Sequence, residues 1–158
     1  MANISSAQGQ IVINEELLLN GIHAVKTFLN LVSLSANYVD YDTYIDYDES
    51  MCLLEDSVEN VYELSIEFSG TGRWAYTNNV ECFYQMLEYV ASQARCETEF
   101  RTMFNYFHKC GIPIEIKYVD MEPGAELYYG AILEILPYIN AEGEIDTMTR
   151  EGGGAWKK

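Results

Sequence analysis

Between Glu15 and Leu34, the apolar residues Leu18, Ile22, Val25, Leu29 and Val32 recur at steps of four and three. That spacing lines one face of a helix and leaves an apolar stripe that must be covered. Asn14 stands before Glu15 and Glu16, which supplies an N-cap and two acids at the positive end of the helix. Gly21 in the interior costs about 1 kcal/mol relative to alanine. On either side the period changes to two. GQIVIN (9–14) reads as a short strand, and in VYELSIEF (61–68) Tyr62, Leu64, Ile66 and Phe68 alternate with Glu63, Ser65 and Glu67. A chain carrying both periods buries them by layering helices on a sheet.

The remaining segments fit that scheme. SGTGRWAYTNN reads as a turn or bulge leading into a helix, with Asn78 three residues before Glu81 in capping-box spacing. Val80, Phe83, Tyr84, Leu87, Val90 and Ala91 form an apolar stripe. A second helical piece runs from about 97 to 108, with Phe100, Met103, Phe104 and Phe107 on one side and Gly111 and Pro113 as its stop. IPIEIKYV (112–119) alternates as a strand, MEPGAE centres a type II turn on Pro-Gly, and ELYYGAILEIL returns as the hairpin partner. Beyond Pro137 the chain turns polar, and the glycines of 150–158 predict a flexible tail. The expectation is a single α+β domain over 1–158, with a mainly antiparallel sheet, helices packed on one face and an acidic insert at 38–56.

At 158 residues the chain can bury a core without metal or disulfide staples. Its 25 acids against 9 bases give a formal net charge of −16. This charge repels nucleic acid and anionic membrane and attracts basic surfaces. Cys52, Cys82, Cys96 and Cys110 form no C-x-x-C pair, no charged and apolar leader opens the sequence, and no apolar run has membrane-spanning length. A cytoplasmic setting is expected, with the cysteines as buried structural thiols.

The acids concentrate in YVDYDTYIDYDES (38–50). Counted as a calcium loop, Asp40, Asp42, Asp46 and Asp48 fall at positions one, three, seven and nine. Position six is Ile45 and position twelve is Met51, so both the turning glycine and the closing glutamate of an EF-hand are absent. Read as a strand, Val39, Tyr41, Thr43, Ile45 and Tyr47 point to one side, and Asp40, Asp42, Tyr44, Asp46 and Asp48 to the other. The carboxylate row has a spacing of the same order as nucleic-acid phosphates, and tyrosine adds apolar contact at low entropic cost. A solvated or edge-protecting face is the plainer alternative. Glu55, Asp56, Glu59, Glu63 and Glu67 extend the acidity over a whole region, which favours a role for it.

Other chemistry is sparse. SGTGRW contains G-x-G but no P-loop or dinucleotide fingerprint, so a phosphate or nucleotide site there rests on Gly70, Gly72, Arg73 and Trp74, against a bulge that carries Trp74 into the core. His23 and His108 lack ligand spacing, no nucleophile motif occurs, and no catalytic residue, metal or cofactor is expected. The bases are scattered, which disfavours direct nucleic-acid binding.

The run IEFSGTGRWAYTNN, a helical stretch, and then IEIKYVDMEPGAELYYGAI resemble the C-terminal half of the YubB-type ferredoxin-like family of plasmids and phages, over less than half the chain. The residues that carry the resemblance are Trp74, Glu122, Gly124, Tyr129 and Gly130. It implies a ferredoxin-like sheet and a mobile-element origin, with no catalytic residues to carry over. The functional expectation is a non-enzymatic acidic inhibitor of anti-CRISPR or anti-restriction type that occupies the basic nucleic-acid channel of a host defence protein. Its contacts would be Asp40, Asp42, Asp46, Asp48 and Glu49, with Tyr41, Tyr44 and Tyr47 between them. The alternative is a small-molecule or nucleotide module at the SGTGRW turn. An oligomer built through the aromatic-rich helices is compatible with either.

Overall fold

The computed structural model describes residues 4–122 and 127–158. Six strands form one antiparallel sheet in the order β2-β3-β1-β4-β5-β6. They are β1 (Ile4–Ile13), β2 (Thr43–Tyr44), β3 (Leu64–Arg73), β4 (Ile114–Glu122), β5 (Leu127–Ile139) and β6 (Ile145–Glu151). The helices are α1 (Glu15–Asn20), α2 (Ile22–Leu34), α3 (Tyr47–Asn60), α4 (Thr77–Val80), α5 (Phe83–Ala94) and α6 (Glu97–Cys110). The architecture is α+β, as the mixed periods require.

Central β1 pairs antiparallel with β3 on one side and with β4 on the other, so β3 and β4 run parallel to each other across it. With the crossover α4–α6, they form a split βαβ unit. The full element order does not repeat the β-α-β-β-α-β pattern of a ferredoxin-like fold, because helices separate β1 from β2, β2 from β3 and β3 from β4, and β4-β5-β6 is a meander.

Alternation decides which face the helices cover. Ile11, Leu64, Ile66, Phe68, Ile116, Leu133 and Ile135 are buried in one cluster with Phe28, Leu31, Phe83, Leu87, Phe104 and Phe107 of the helices. Phe28 holds that cluster together, stacking on Phe83 at 5.7 Å and meeting Phe107 edge-on at 6.1 Å.

Several boundaries differ from the sequence reading. The single helix expected over 15–34 breaks at Gly21, whose backbone leaves the helical region at φ −137° and ψ 36°, and the Tyr106 ring lies 2.3 Å from where a Cβ would sit, so the position has no room for a side chain. The strand at 9–14 starts earlier, at Ile4, and 145–151 adds an unexpected edge strand. The expected flexible tail instead folds back. Thr149 and Lys157 exchange backbone hydrogen bonds of 3.0 and 2.7 Å, and Arg150 lies 4.4 Å over the Trp156 ring. A folded-back tail covers part of the outer edge of β6, which would otherwise be open to pairing. The expected Pro-Gly turn, with Gly124, lies outside the described residues.

Candidate functional site: an acidic edge and an uncovered sheet face

The 38–48 segment is not a strand. Only Thr43 and Tyr44 join the ladder, opposite Gly70 and Ser69, and helix α3 starts at Tyr47. The reason is local. Asp46 caps the helix, its Oδ1 accepting the Glu49 N–H at 3.0 Å, while the Ser50 hydroxyl donates to the Asp46 carbonyl at 2.6 Å. Asp46 and Glu49 stand in capping-box spacing, a helix-start signal that outweighs the short Tyr/Asp alternation. The predicted two-faced sorting survives only from Thr43 to Asp46, where Thr43 and Ile45 are buried and Tyr44 and Asp46 exposed. Tyr47, expected to point inward, is exposed.

α3 buries Ser50, Leu54 and Ser57 and turns Asp48, Glu49, Glu55, Asp56 and Glu59 outward. Glu59 lies in the last turn of the helix, at its negative end and with no base beside it, which is unfavourable by about 0.3–1 kcal/mol. Asp56 is partly held, accepting from the Asn60 amide at 3.0 Å and from the Tyr62 hydroxyl. That hydrogen bond raises the Tyr62 phenol above its ordinary value. Val61 ends the helix in the left-handed region, at φ 54°, and returns the chain into β3.

The segment before β2 is tied down differently. The Asn79 amide donates to the carbonyls of Tyr41 and Thr71 at 2.9 and 2.8 Å, the Thr71 N–H donates to the Asp42 carbonyl at 3.0 Å, and its hydroxyl donates to Asp42 Oδ1 at 3.3 Å. Asp42 is therefore half-buried and partly structural, whereas Asp40 is exposed. Of the eight residues singled out at 40–49, the fold gathers Tyr44, Asp46, Tyr47, Asp48 and Glu49 at β2 and the start of α3, and sets Asp40, Tyr41 and Asp42 in the preceding loop.

No lysine or arginine occurs between Lys26 and Arg73, a span that holds Asp40, Asp42, Asp46, Asp48, Glu49, Glu55, Asp56, Glu59, Glu63 and Glu67. All but Asp42 are exposed. The two ion pairs among the described residues, Lys117–Glu115 and Arg150–Glu134, involve none of them. Glu55, Asp56 and Glu59 fall outside the contacts expected from sequence. Their signal is the seven-residue step from Asp48 to Glu55 and from Glu49 to Asp56, which returns to the same helical face.

This edge borders the sheet face opposite the main helical core, which forms an open groove of about 1510 Å³. Tyr44, Asp46, Glu49 and Glu67 stand on the acidic side of the groove, and Val119 and Ile132 are exposed apolar residues on β4 and β5. Tyr44, Ser69, Gln8, Val119 and Gly130 form one cross-strand row from β2 to β5.

The glycines of the SGTGRW segment lie in a strand rather than in a turn. Gly70 and Gly72 are strand residues paired with Ala7 and Ser5. A Cβ on Gly70 would lie 2.4 Å from the Tyr76 ring, and one on Gly72 would lie 2.6 Å from the Ala75 backbone. The glycines make room for Tyr76, which is fully buried and joined to Thr43 through their hydroxyls at 2.5 Å. Burial pushes the Tyr76 phenol well above its usual value. Trp74 does not enter the core; it is 52 % exposed, at a left-handed φ of 70°, and Arg73 is exposed as well. α4 has no side-chain cap, and Asn78, expected to cap a helix, donates its amide to the Arg73 carbonyl at 3.0 Å.

Trp74 stands beside a second cleft, of about 340 Å³, with Ala75, Thr77, Asp120, Glu122 and Tyr129.

No cysteine is fully buried, contrary to expectation. Cys52 and Cys82 are exposed, and Cys96 and Cys110 are half-buried. Partial burial of the sulfur, then nearby carboxylates, raises the Cys82 and Cys96 thiols, the opposite of an activated nucleophile. Among the described residues no group of histidine, cysteine and acid side chains is placed to hold a metal, and no helix is long and apolar enough to cross a membrane. No known protein family matches the chain, and neither a curated protein nor a solved structure does.

Proposed function

We propose that this is a non-enzymatic acidic protein of phage or plasmid origin, which binds the basic nucleic-acid site of a host defence protein of restriction or CRISPR type and keeps nucleic acid out of it. The supporting observation is the base-free acidic edge from Asp40 to Glu67, whose carboxylates have no ion-pair partner among the described residues. Holding such charge together costs self-repulsion, and Glu59 also opposes the negative end of α3. From Asp48 to Glu59 the helix rises about 16 Å with five outward carboxylates, roughly one per 3 to 4 Å of axis, against one phosphate per ~3.4 Å for a DNA strand. The helix offers a basic channel the linear charge density of one strand. Exposed Tyr38, Tyr44, Tyr47 and Tyr62 flank the carboxylates, the residue type enriched in protein interfaces.

The test is displacement of a labelled DNA duplex from a panel of restriction and CRISPR effectors by the purified protein. Wild type is expected to displace DNA from at least one of them, less effectively as salt rises. The variant D48N/E49Q/E55Q/D56N/E59Q should require at least about 100-fold more protein, the loss expected when several close charge pairs go together. Neutralising Glu142 and Glu144 in the β5–β6 turn should change little. Equal displacement by all three proteins would refute the assignment.

A further inference from the structure

Asp120 on β4 is only 5 % exposed, and its two oxygens have different surroundings. Oδ2 accepts the Tyr76 N–H at 2.8 Å. Oδ1 is shielded from bulk water and accepts no hydrogen bond from any described residue. A buried carboxylate oxygen left unmatched is costly, and native proteins rarely keep one without a use. Here the carboxylate sits in the wall of the 340 Å³ cleft, between the half-exposed rings of Trp74 and Tyr129, with Glu122 as a second acid. Neighbouring polar groups are already engaged: the Thr77 hydroxyl is bonded to that of Tyr118, whose phenol is pushed up to about 12, by burial first. Trp74 also holds a left-handed backbone, which costs a non-glycine residue roughly 1–2 kcal/mol. The strain presents its indole at the cleft.

We propose that this cleft is a recognition site for an alkylammonium group, with the N–H donated to Asp120 Oδ1 and the charge held against the Trp74 and Tyr129 rings. Carboxylate and aromatic faces together select a cation, and the sign of the charge argues against the nucleotide expected at this turn. Because Tyr76 occupies Oδ2, Asp120 offers one acceptor oxygen. That suits a compact ammonium better than the two-pronged fork of a guanidinium. A quaternary ammonium has no N–H and would leave Oδ1 unmatched. The Trp74 and Tyr129 side chains, each half exposed, shift to admit the ligand. The same chemistry occurs in a free amine and in a lysine side chain of another protein. The site does not depend on the acidic edge.

The experiment uses a W156F protein, in which Trp74 is the sole tryptophan, titrated with cadaverine and with N-acetyl-lysine methylamide. Their controls are 1-pentanol, tetramethylammonium and Nε-acetylated lysine. Saturable change in Trp74 fluorescence is expected with the two N–H ammonium ligands and not with the controls. Asp120→Asn in the same background keeps an acceptor for Tyr76 and turns the other atom into a donor. It should weaken binding by at least about tenfold, as loss of a hydrogen bond to a charged group does. Trp74→Ala, followed by calorimetry, should weaken it too and keeps the proposal falsifiable if the Asp120 variant fails to fold. Tighter binding of the lysine derivative identifies a protein side chain as the source, and tighter binding of cadaverine a free amine. No saturable binding of either, equal binding of the alcohol, or unchanged affinity in both variants would overturn the proposal.

Discussion

The acids of the β5–β6 hairpin and those of the 40–67 edge are the same residue types in opposite situations. On the hairpin, Glu134 receives both arms of Arg150, at 3.0 and 3.2 Å, and Trp156 stacks on the same guanidinium. Asp146 accepts from the Gln85 amide at 2.7 Å, the Tyr138 hydroxyl at 3.0 Å and the Thr147 N–H at 2.7 Å, fastening α5 to β6. On the acidic edge, among the described residues, only Asp42, Asp46 and Asp56 accept hydrogen bonds and none of the ten is paired with a cation. Glu134 and Asp146 tie the hairpin together, whereas nine of the ten edge acids are exposed.

The difference can be broken by mutation. Asp146→Ala should give the largest loss of stability, about 1–3 kcal/mol in denaturant unfolding, because several donors lose their acceptor at once. It should also change the pH profile. Burial pulls the Asp146 carboxyl up, but hydrogen bonds from Thr147, Tyr138, Asn140 and Gln85 outweigh it and hold the group below its ordinary value. A depressed folded-state pKa contributes stability that is complete above the unfolded value of about 3.9 and is lost as pH falls through the folded value. Asp146→Asn should therefore flatten the acid limb of stability against pH, and an unchanged limb would count against this role.

Arg150→Ala should cost about 1 kcal/mol, from a half-buried bidentate pair and a cation–π contact together, and should free Trp156, visible as a red shift of its emission. On the edge the sign reverses. Glu55→Gln with Glu59→Gln should raise stability, since Glu59 opposes the negative end of α3 and both add charge to a base-free stretch. A loss would mean that the edge is structural after all. Smallest is the effect of salt. Raising sodium chloride from about 0.1 to 1 M shortens the screening length from about 10 to 3 Å and should lift the melting temperature of wild type slightly more than that of the doubly neutralised variant.

The fold was legible wherever a period ran long enough to repeat. Leu64, Ile66 and Phe68 on β3 and Phe100, Met103, Phe104 and Phe107 on α6 are buried as their spacing requires. The candidate site was legible in content but not in shape. Which residues are acidic needs no structure, yet the Tyr/Asp alternation pointed to a strand where Asp46 starts a helix. Gly70 and Gly72 looked like a loop because the sequence does not show that the chain folds back on them, the Tyr76 ring against Gly70 and the Ala75 backbone against Gly72. Asp120 gave no signal at all, since an aspartate on an alternating strand becomes unusual only when its neighbours in space are known.

The sequence by itself determined the α+β class, the acidity and the base-free stretch that holds ten of the 25 acids, because periodicity and charge are local sums over consecutive residues. Tertiary structure alone decided that five of those acids stand on a helix beside an uncovered sheet face, that Glu134 and Asp146 are engaged while most edge acids are exposed, and that a buried carboxylate oxygen borders a cleft lined by Trp74 and Tyr129. Each depends on which distant residues meet, and packing and hydrogen bonding across the sheet fix that.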